Sequence, residues 1–195
     1  MVTTVGDDAA WEAMWAPYDE DTYAPALACI PDGAVVLDLG AGDLRLARRA
    51  AERARLVFAI EQHAELIAGE PLPPNLIVIC GDARALPFPT GIDTAVLLMR
   101  HCRHFAHYRQ KLEAVGCRRL ITNARWGMGV ECIDLTAPAL AYDDLPIGWY
   151  ACRCGSTGFR AGPPEQLSAC LAETIHEVDN CPECKHYGRI SHRIA

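Results

Sequence analysis

No apolar run in this chain approaches the ~20 residues that cross a bilayer, so a membrane-spanning helix is not expected. The opening residues, MVTTVGDDAAWEAMW, are acidic where a secretory signal is basic and then apolar. Positive charge is also in short supply. The formal net charge is −7, which argues against broad, sequence-independent nucleic-acid binding and leaves room only for a local basic face. Nothing marks an oxidising compartment, so the ten cysteines are not read as a disulfide framework. The expectation is a cytoplasmic protein with no membrane partner. What is present is ordinary for a globular chain: 195 residues, 51% hydrophobic and 22% charged, enough for one domain with its own core.

The informative stretch begins at AVVLDLGAGDLRLARRAAERARLVFAIE. An apolar strand over Val35–Leu39 runs into a glycine turn, then into helical spacing at Leu44, Ala47, Ala51 and Ala54. A second strand, Leu56–Ile60, ends at Glu61. Strand, tight turn, helix and strand form a parallel βαβ unit. Gly40 and Gly42 let the backbone turn sharply and approach a ligand closely. Two ligand classes use such a turn. A dinucleotide site wants G-x-G-x-x-G, but the third position is Arg45, which is expected to block close helix–strand packing, and Asp38 and Asp43 flank the place of the pyrophosphate. The alternative is an S-adenosylmethionine site, with acids at the ends of the first and second strands. Glu61 suits either, because a carboxylate there can hold ribose hydroxyls.

The next segment, NLIVICGDARALPFPTGIDTAVLLM, supplies a third strand (Leu76–Cys80), the loop GDARALPFP and a fourth strand (Thr94–Met99). In this order VLDLGAGD, the acid Glu61 and GDARALPF resemble the class I S-adenosylmethionine-dependent methyltransferase family over Ile30 to about Asn123. The resemblance implies an α/β, Rossmann-like sheet, mostly parallel with a final antiparallel strand, and S-adenosylmethionine as cofactor. It further implies that Asp38, Gly40, Gly42, Glu61, Asp82, the Ala83 backbone N–H and Arg100 form the cofactor site, with Asp82 accepting from the adenine amino group. Two features depart from the family. Leu44 stands where a third glycine is usual, and the connection from Cys80 to Asp93 is too short and proline-rich for a full helix, so a trimmed fold is expected.

After the fourth strand comes MRHCRHFAHYRQKLEAVG, then the fifth strand in RLITNA. Ligands of open α/β sheets bind at the carboxyl ends of the strands, which places Arg100 to His104 where a methyl acceptor meets the cofactor. Methyl transfer is an in-line displacement, so positioning does much of the work. A base is needed only where the acceptor must lose a proton, and His101 and His104 are the candidates. The same run also reads as an amphipathic helix, with Phe105, Tyr108, Leu112 and Val115 inward and Arg103, His107, Arg109 and Lys111 solvated. Cys102 lacks the preceding proline expected of a pyrimidine-directed nucleophile. No N/D-P-P-Y/F motif follows strand four, and TNARW does not replace it.

Six cysteines (Cys29, Cys80, Cys102, Cys117, Cys132, Cys170) stand alone and, Cys102 apart, read as small core residues. The other four form Cys152-x-Cys154 and Cys181-x-x-Cys184, two tight knuckles able to aim four thiolates at one Zn²⁺, a closed structural site. His176, His186 and Cys170 are substitute ligands. A redox reading of CPEC wants a helix starting at its first cysteine, whereas KHYGRISHRIA alternates like a strand. The helix GPPEQLSACLAE and strands TIHEVDN and GRISHRIA are expected to complete the same sheet. The chain thus reads as one methyltransferase domain: residues 1–30 a helical cap, 31–123 the cofactor core, and 124–195 a zinc-stapled insertion within that sheet. An RNA or protein acceptor, reached through the zinc face and Arg100, Arg103, Arg118, Arg119, Arg189 and Arg193, is favoured over a metabolite. The alternative is a non-catalytic subunit that uses the zinc face to bind a partner.

Overall fold

The computed structural model describes residues 17–67, 71–100, 102–125 and 129–184. The chain falls into two compact units that divide after Thr136.

The first unit is built on a six-stranded sheet. Its strands are β1 (Val35–Leu39), β2 (Leu56–Glu61), β3 (Leu76–Cys80), β4 (Thr94–Leu97), β5 (Arg119–Thr122) and β6 (Glu131–Asp134). The order across the sheet is β3-β2-β1-β4-β5-β6. β1 to β5 are parallel, and β6 turns back antiparallel on β5. The mostly parallel α/β sheet with one antiparallel strand is the architecture expected from the sequence. All five residues of β1 are buried, as a strand covered on both faces requires. Helices α1 (Glu20–Ala28) and α2 (Arg45–Ala51) cover one face through Tyr23, Ala26, Leu46, Ala47 and Ala50, packed on Val36, Val57, Val96 and Ile121. A four-residue helix, α3 (Ala64–Ile67), follows β2, and α4 (Phe105–Ala114) covers the other face through Phe105, Tyr108 and Leu112.

The connection from β3 to β4 contains no helix, in line with the trimmed fold expected. Its apolar side chains Ala83, Phe88 and Ile92 fill the layer that a crossover helix would occupy. Lys111 of α4 holds the loop in place. Its Nζ donates to the carbonyls of Ala83 at 2.5 Å, Leu86 at 2.6 Å and Arg84 at 3.1 Å, and sits 4.1 Å from the Phe88 ring centroid. The expectation of a solvated Lys111 and Arg109 is therefore corrected. Helical periodicity places both near the rim, but Lys111 satisfies loop carbonyls, and Arg109 is 2% exposed and bonded to Glu113 at 2.9 Å. The isolated cysteines are corrected as well. Among them Cys117 is buried, whereas Cys80, Cys132 and Cys170 are exposed, the first two because they lie on the edge strands β3 and β6.

The second unit has its own four-stranded sheet of β7 (Leu140–Ala141), β8 (Gly148–Cys152), β9 (Thr157–Arg160) and β10 (Ile175–Asp179), in the order β7-β10-β8-β9. The segment TIHEVDN was expected to extend the first sheet. It instead pairs parallel with β8, because β6, four residues long and following β5 directly, has already taken that edge. The expected helix over residues 162–173 is split into a 3₁₀ turn at Pro164–Gln166 and a short α5 at Ala169–Glu173. GRISHRIA lies outside the described residues. The described core of this unit is small: Leu145, Tyr150, Val178 and the cysteines Cys152 and Cys181.

Replacing Lys111 with alanine removes a charged donor from three loop carbonyls. Urea unfolding of Lys111→Ala is expected to show a loss of about 2–3 kcal/mol. A change within about 0.5 kcal/mol, normal for a solvated lysine, would contradict the stitch.

Candidate functional site

Beyond Leu39 the chain turns at once. Gly40 (φ +69°) and Gly42 (φ +55°) take left-handed backbone, and so does Leu44 (φ +65°). The position that lacks the third glycine therefore keeps a glycine-like conformation. A leucine pays about 1–2 kcal/mol for it, offset by a side chain only 1% exposed in the core beneath α2. The turn is closed by the neighbouring strand. Gly40 and Ala41 N–H donate to the Ile60 carbonyl at 2.9 and 3.1 Å. Gly42 N–H donates to Glu61 Oε2 at 2.8 Å, and His63 N–H to Oε1 at 2.9 Å. Arg45 does not block packing of α2, contrary to expectation: its side chain is 47% exposed and paired with Asp43.

Asp38 lies one residue before the end of β1, 4% exposed, with Oδ2 lacking a hydrogen bond. Burial, and secondarily the Glu61 carboxylate, push its carboxyl up to about 7. Asp82, after β3, is placed differently. It accepts from Arg84 Nε at 2.9 Å and from Arg84 N–H at 2.8 Å, and these bonds hold its carboxyl below the usual range. Ala83 is buried, with its carbonyl taken by Lys111. Arg100 packs over the Tyr18 ring at 5.1 Å, its N–H donates to the Tyr18 hydroxyl at 3.1 Å, and its Nε is buried without a hydrogen bond. The sheet thus brings Asp38, Gly40, Gly42, Glu61 and Arg100 to the carboxyl ends of β1, β2 and β4, with Asp82 and Ala83 beyond β3. The switch point of the strand order lies between β1 and β4, where open α/β sheets take ligands.

One residue that the sequence reading passed over stands out. Asn123, directly after β5, is 0% exposed, and among the described residues neither its Oδ1 nor its Nδ2 has a hydrogen-bond partner. An unpaired buried amide costs about 1–3 kcal/mol, and no sequence signal marks it, because pairing is a tertiary property.

His101 lies outside the described residues, as do His186, Arg189 and Arg193. His104 is half-buried before α4, with Nε2 3.4 Å from Arg84 Nη1. The arginines expected to cluster do not share one edge. Arg100 and Arg103 follow β4, whereas Arg118 and Arg119 stand at the start of β5, the opposite end of a parallel strand. Arg119 donates to the Cys29 carbonyl at 3.3 Å.

In the second unit the two cysteine pairs converge. β8 and β10 run parallel with Val178 opposite Cys152, so both knuckles leave from the same sheet end. Gly155 (φ +105°) makes the first knuckle's turn, donating to the Cys152 carbonyl at 2.9 Å. The Sγ separations are 3.5 Å for Cys152–Cys184, 3.6 Å for Cys154–Cys181 and 3.7 Å for Cys181–Cys184, and all four sulfurs lie within 4.8 Å of one another. A tetrahedron of sulfurs about 2.3 Å from zinc has edges of about 3.8 Å, so the donor set fits that ion. The four thiols share their protons: hydrogen bonding from Cys152 pushes the Cys154 thiol down to about 4, while Cys152, through its bond to Cys154, and Cys184, through burial, are pushed up. Residues 182–184 are helical, so a short helix does follow Cys181, as the redox reading wants and the sequence was not expected to supply. Even so, Cys181 is 0% exposed, unlike an accessible redox nucleophile. His176 and Cys170 stand apart from the cluster, and Cys170 is exposed.

No protein-family model matches the sequence, and no curated protein does. Solved structures are similar in part. Precorrin 8W decarboxylase from Methanobacterium thermoautotrophicum is 23% identical over 56% of this chain and 65% of its own, with a TM-score of 0.49. A dimethyladenosine transferase from Plasmodium falciparum is 20% identical over 51% and 39%, with a TM-score of 0.45. An S-adenosylmethionine-dependent methyltransferase from Mesorhizobium loti is 21% identical over 50% of each chain, with a TM-score of 0.44. The chain spans between 39% and 65% of the length of these proteins.

Proposed function

We propose that the first unit binds S-adenosylmethionine across the ends of β1, β2 and β4 and transfers its methyl group to an acceptor lying against β4 and β5. The observation that carries this reading is the bond from Gly42 N–H to the Glu61 carboxylate. In a dinucleotide site the glycine-loop N–H groups face a pyrophosphate. Here the loop faces a carboxylate, with Asp38 buried beside it, and α2 is only seven residues long. Two acids in a dry turn repel phosphate and favour a cation such as a sulfonium or an ammonium.

Each Glu61 oxygen keeps a lone pair for a ribose hydroxyl, and Asp82 with Ala83 would take the adenine edge. Arg100 would steady the cofactor's other end. S-adenosylmethionine supplies an electrophilic methyl carbon, and the protein's part is alignment and exclusion of water. His104 and His101 are the groups proposed to accept a proton where the acceptor must lose one.

We assign the four cysteines to a structural zinc ion. A unit with so few buried apolar side chains needs such a staple, and the thiols stand at tetrahedral separations. Its sheet also carries an exposed apolar row, Ile175, Trp149 and Phe159, aligned across β10, β8 and β9, which supports the reading of this unit as a platform for an RNA or protein acceptor. The alternative, a non-catalytic subunit, draws support from Asp82, whose carboxylate is already occupied by Arg84.

Calorimetry is expected to show S-adenosylhomocysteine binding, weakened about ten- to a hundred-fold in Glu61→Ala. Tight NAD binding with no S-adenosylhomocysteine binding would overturn the assignment, and binding without turnover on any acceptor would favour the subunit. Elemental analysis is expected to find one zinc per chain with all-sulfur coordination. Chelation should strip hydrogen-exchange protection from residues 137–184 while residues 35–99 keep theirs. A metal-free protein with a Cys181–Cys184 disulfide would contradict the zinc site.

A further inference from the structure

Among the described residues, buried side-chain polar atoms without a hydrogen bond include Asp38 Oδ2, Arg100 Nε and both amide atoms of Asn123. These residues stand at the carboxyl ends of β1, β4 and β5, which are consecutive in the sheet. The first two belong to the cofactor reading. Asn123 has no part in it. Glu61 is three strand spacings away, about 14 Å, and the nucleoside half of the cofactor extends from β1 toward Glu61 and Asp82, in the opposite direction.

The described neighbours of Asn123 in the chain are engaged elsewhere. Thr122 Oγ1 donates to the Leu97 carbonyl at 2.7 Å and accepts from Ala124 N–H at 3.0 Å. Arg125 is bonded to both oxygens of Glu131 at 3.1 Å. The backbone on either side is thereby fixed, and Asn123 contributes nothing to fixing it. The strand register puts Asn123 on the same sheet face as Asp38 and Glu61, one step beyond the Leu97–Thr122 pair and hence beside Leu98. A buried amide that serves no bond within the described fold is available to a ligand.

We propose that Asn123 reads the nucleobase edge of the methyl acceptor. The proposal rests on the methyl-transfer reading of the same crevice. A carboxamide offers a donor beside an acceptor on one planar edge. A trans peptide group holds its N–H and C=O on opposite sides and meets only one of the two. A nucleobase presents both together, as adenine does with its amino group and ring nitrogen. Half-buried Tyr18, Leu98 and Val130, packed against the core on this face, give a flat ring apolar surface to lie on. Because the amide is covered in the ligand-free chain, the base must displace neighbouring side chains as it docks.

The test uses the full chain saturated with S-adenosylhomocysteine, with the four ribonucleosides and N-acetylglutamine amide as probes in ligand-observed NMR. Wild-type protein should bind at least one nucleoside, and Asn123→Leu should weaken it about tenfold or more. S-adenosylhomocysteine affinity should stay within about twofold. Because the variant removes an unpaired buried amide, its Tm should be unchanged or raised by about 2–4 °C; Asn123→Ala provides a second variant if leucine does not fit. A fall in Tm in both variants would mean a structural role. Nucleoside binding that is absent, or equal in wild type and variant, or replaced by binding of the glutamine amide, would overturn the proposal. Nucleoside binding that needs Asn123 in a protein that ignores S-adenosylhomocysteine would instead retain Asn123 and sink the methyl-transfer reading.

Discussion

The hydrogen bond from Gly42 N–H to the carboxylate of Glu61 is the constraint on which the rest of the site depends. It fixes a turn with three left-handed residues, one of them a leucine, and brings an acid from the tip of β2 against the end of β1. The register of parallel strands then leaves Asp38 beside it, inside the protein, with its Oδ2 unpaired among the described residues. Both acids are kept where solvent cannot screen them, so the field at the switch point becomes strongly negative once Asp38 ionises. A phosphate cradle inverts each of these features. The chain has taken the geometry of a nucleotide-binding turn and reversed its electrostatic sense.

That much could be read from the sequence, because it is local. Asp38, Gly40, Gly42 and Glu61 fall in one strand–turn–helix–strand unit, where spacing alone determines which strand end each residue reaches. Arg45 was misjudged because a helix position one residue from the turn decides whether a side chain meets the sheet or the solvent. Lys111 and Asn123 were illegible for another reason. Lys111 bonds to carbonyls more than twenty residues away, and the unpaired amide of Asn123 becomes visible only once the residues packed around it are placed. The split of Arg100 and Arg103 from Arg118 and Arg119 across opposite sheet edges is likewise a matter of strand direction, which a run of basic residues does not carry.

The cysteines show both sides of this. Two short spacings were sufficient to pair the knuckles, because each is a turn that aims its own thiols. The sheet that carries them was not foreseen. β6 is four residues long, too short for its alternation to register, yet it occupies the edge of the first sheet that the C-terminal strands were expected to join. Those strands form a second sheet instead, in which the thiols replace much of the missing apolar core. Stability in the two units therefore has different sources, a large buried parallel sheet in one and a four-sulfur cluster in the other.

The central claim is that the crevice at β1 and β2 is built for a cation. Its most direct test is calorimetric titration with S-adenosylmethionine from pH 6 to 8. Burial, and then the Glu61 carboxylate, push the Asp38 carboxyl up to about 7; Tyr23, Asp43, Arg45 and His63, whose N–H holds Glu61, are further ionisable groups close to this corner. Only the ionised carboxylate attracts a positive ligand, and binding lowers its pKa, so a proton must leave whenever the ligand docks below that value. Affinity should rise with pH, by up to about tenfold per unit below 7, and level off above it, with the slope absent in Asp38→Asn. An affinity that is flat across this range, or that falls as Asp38 ionises, would contradict the account.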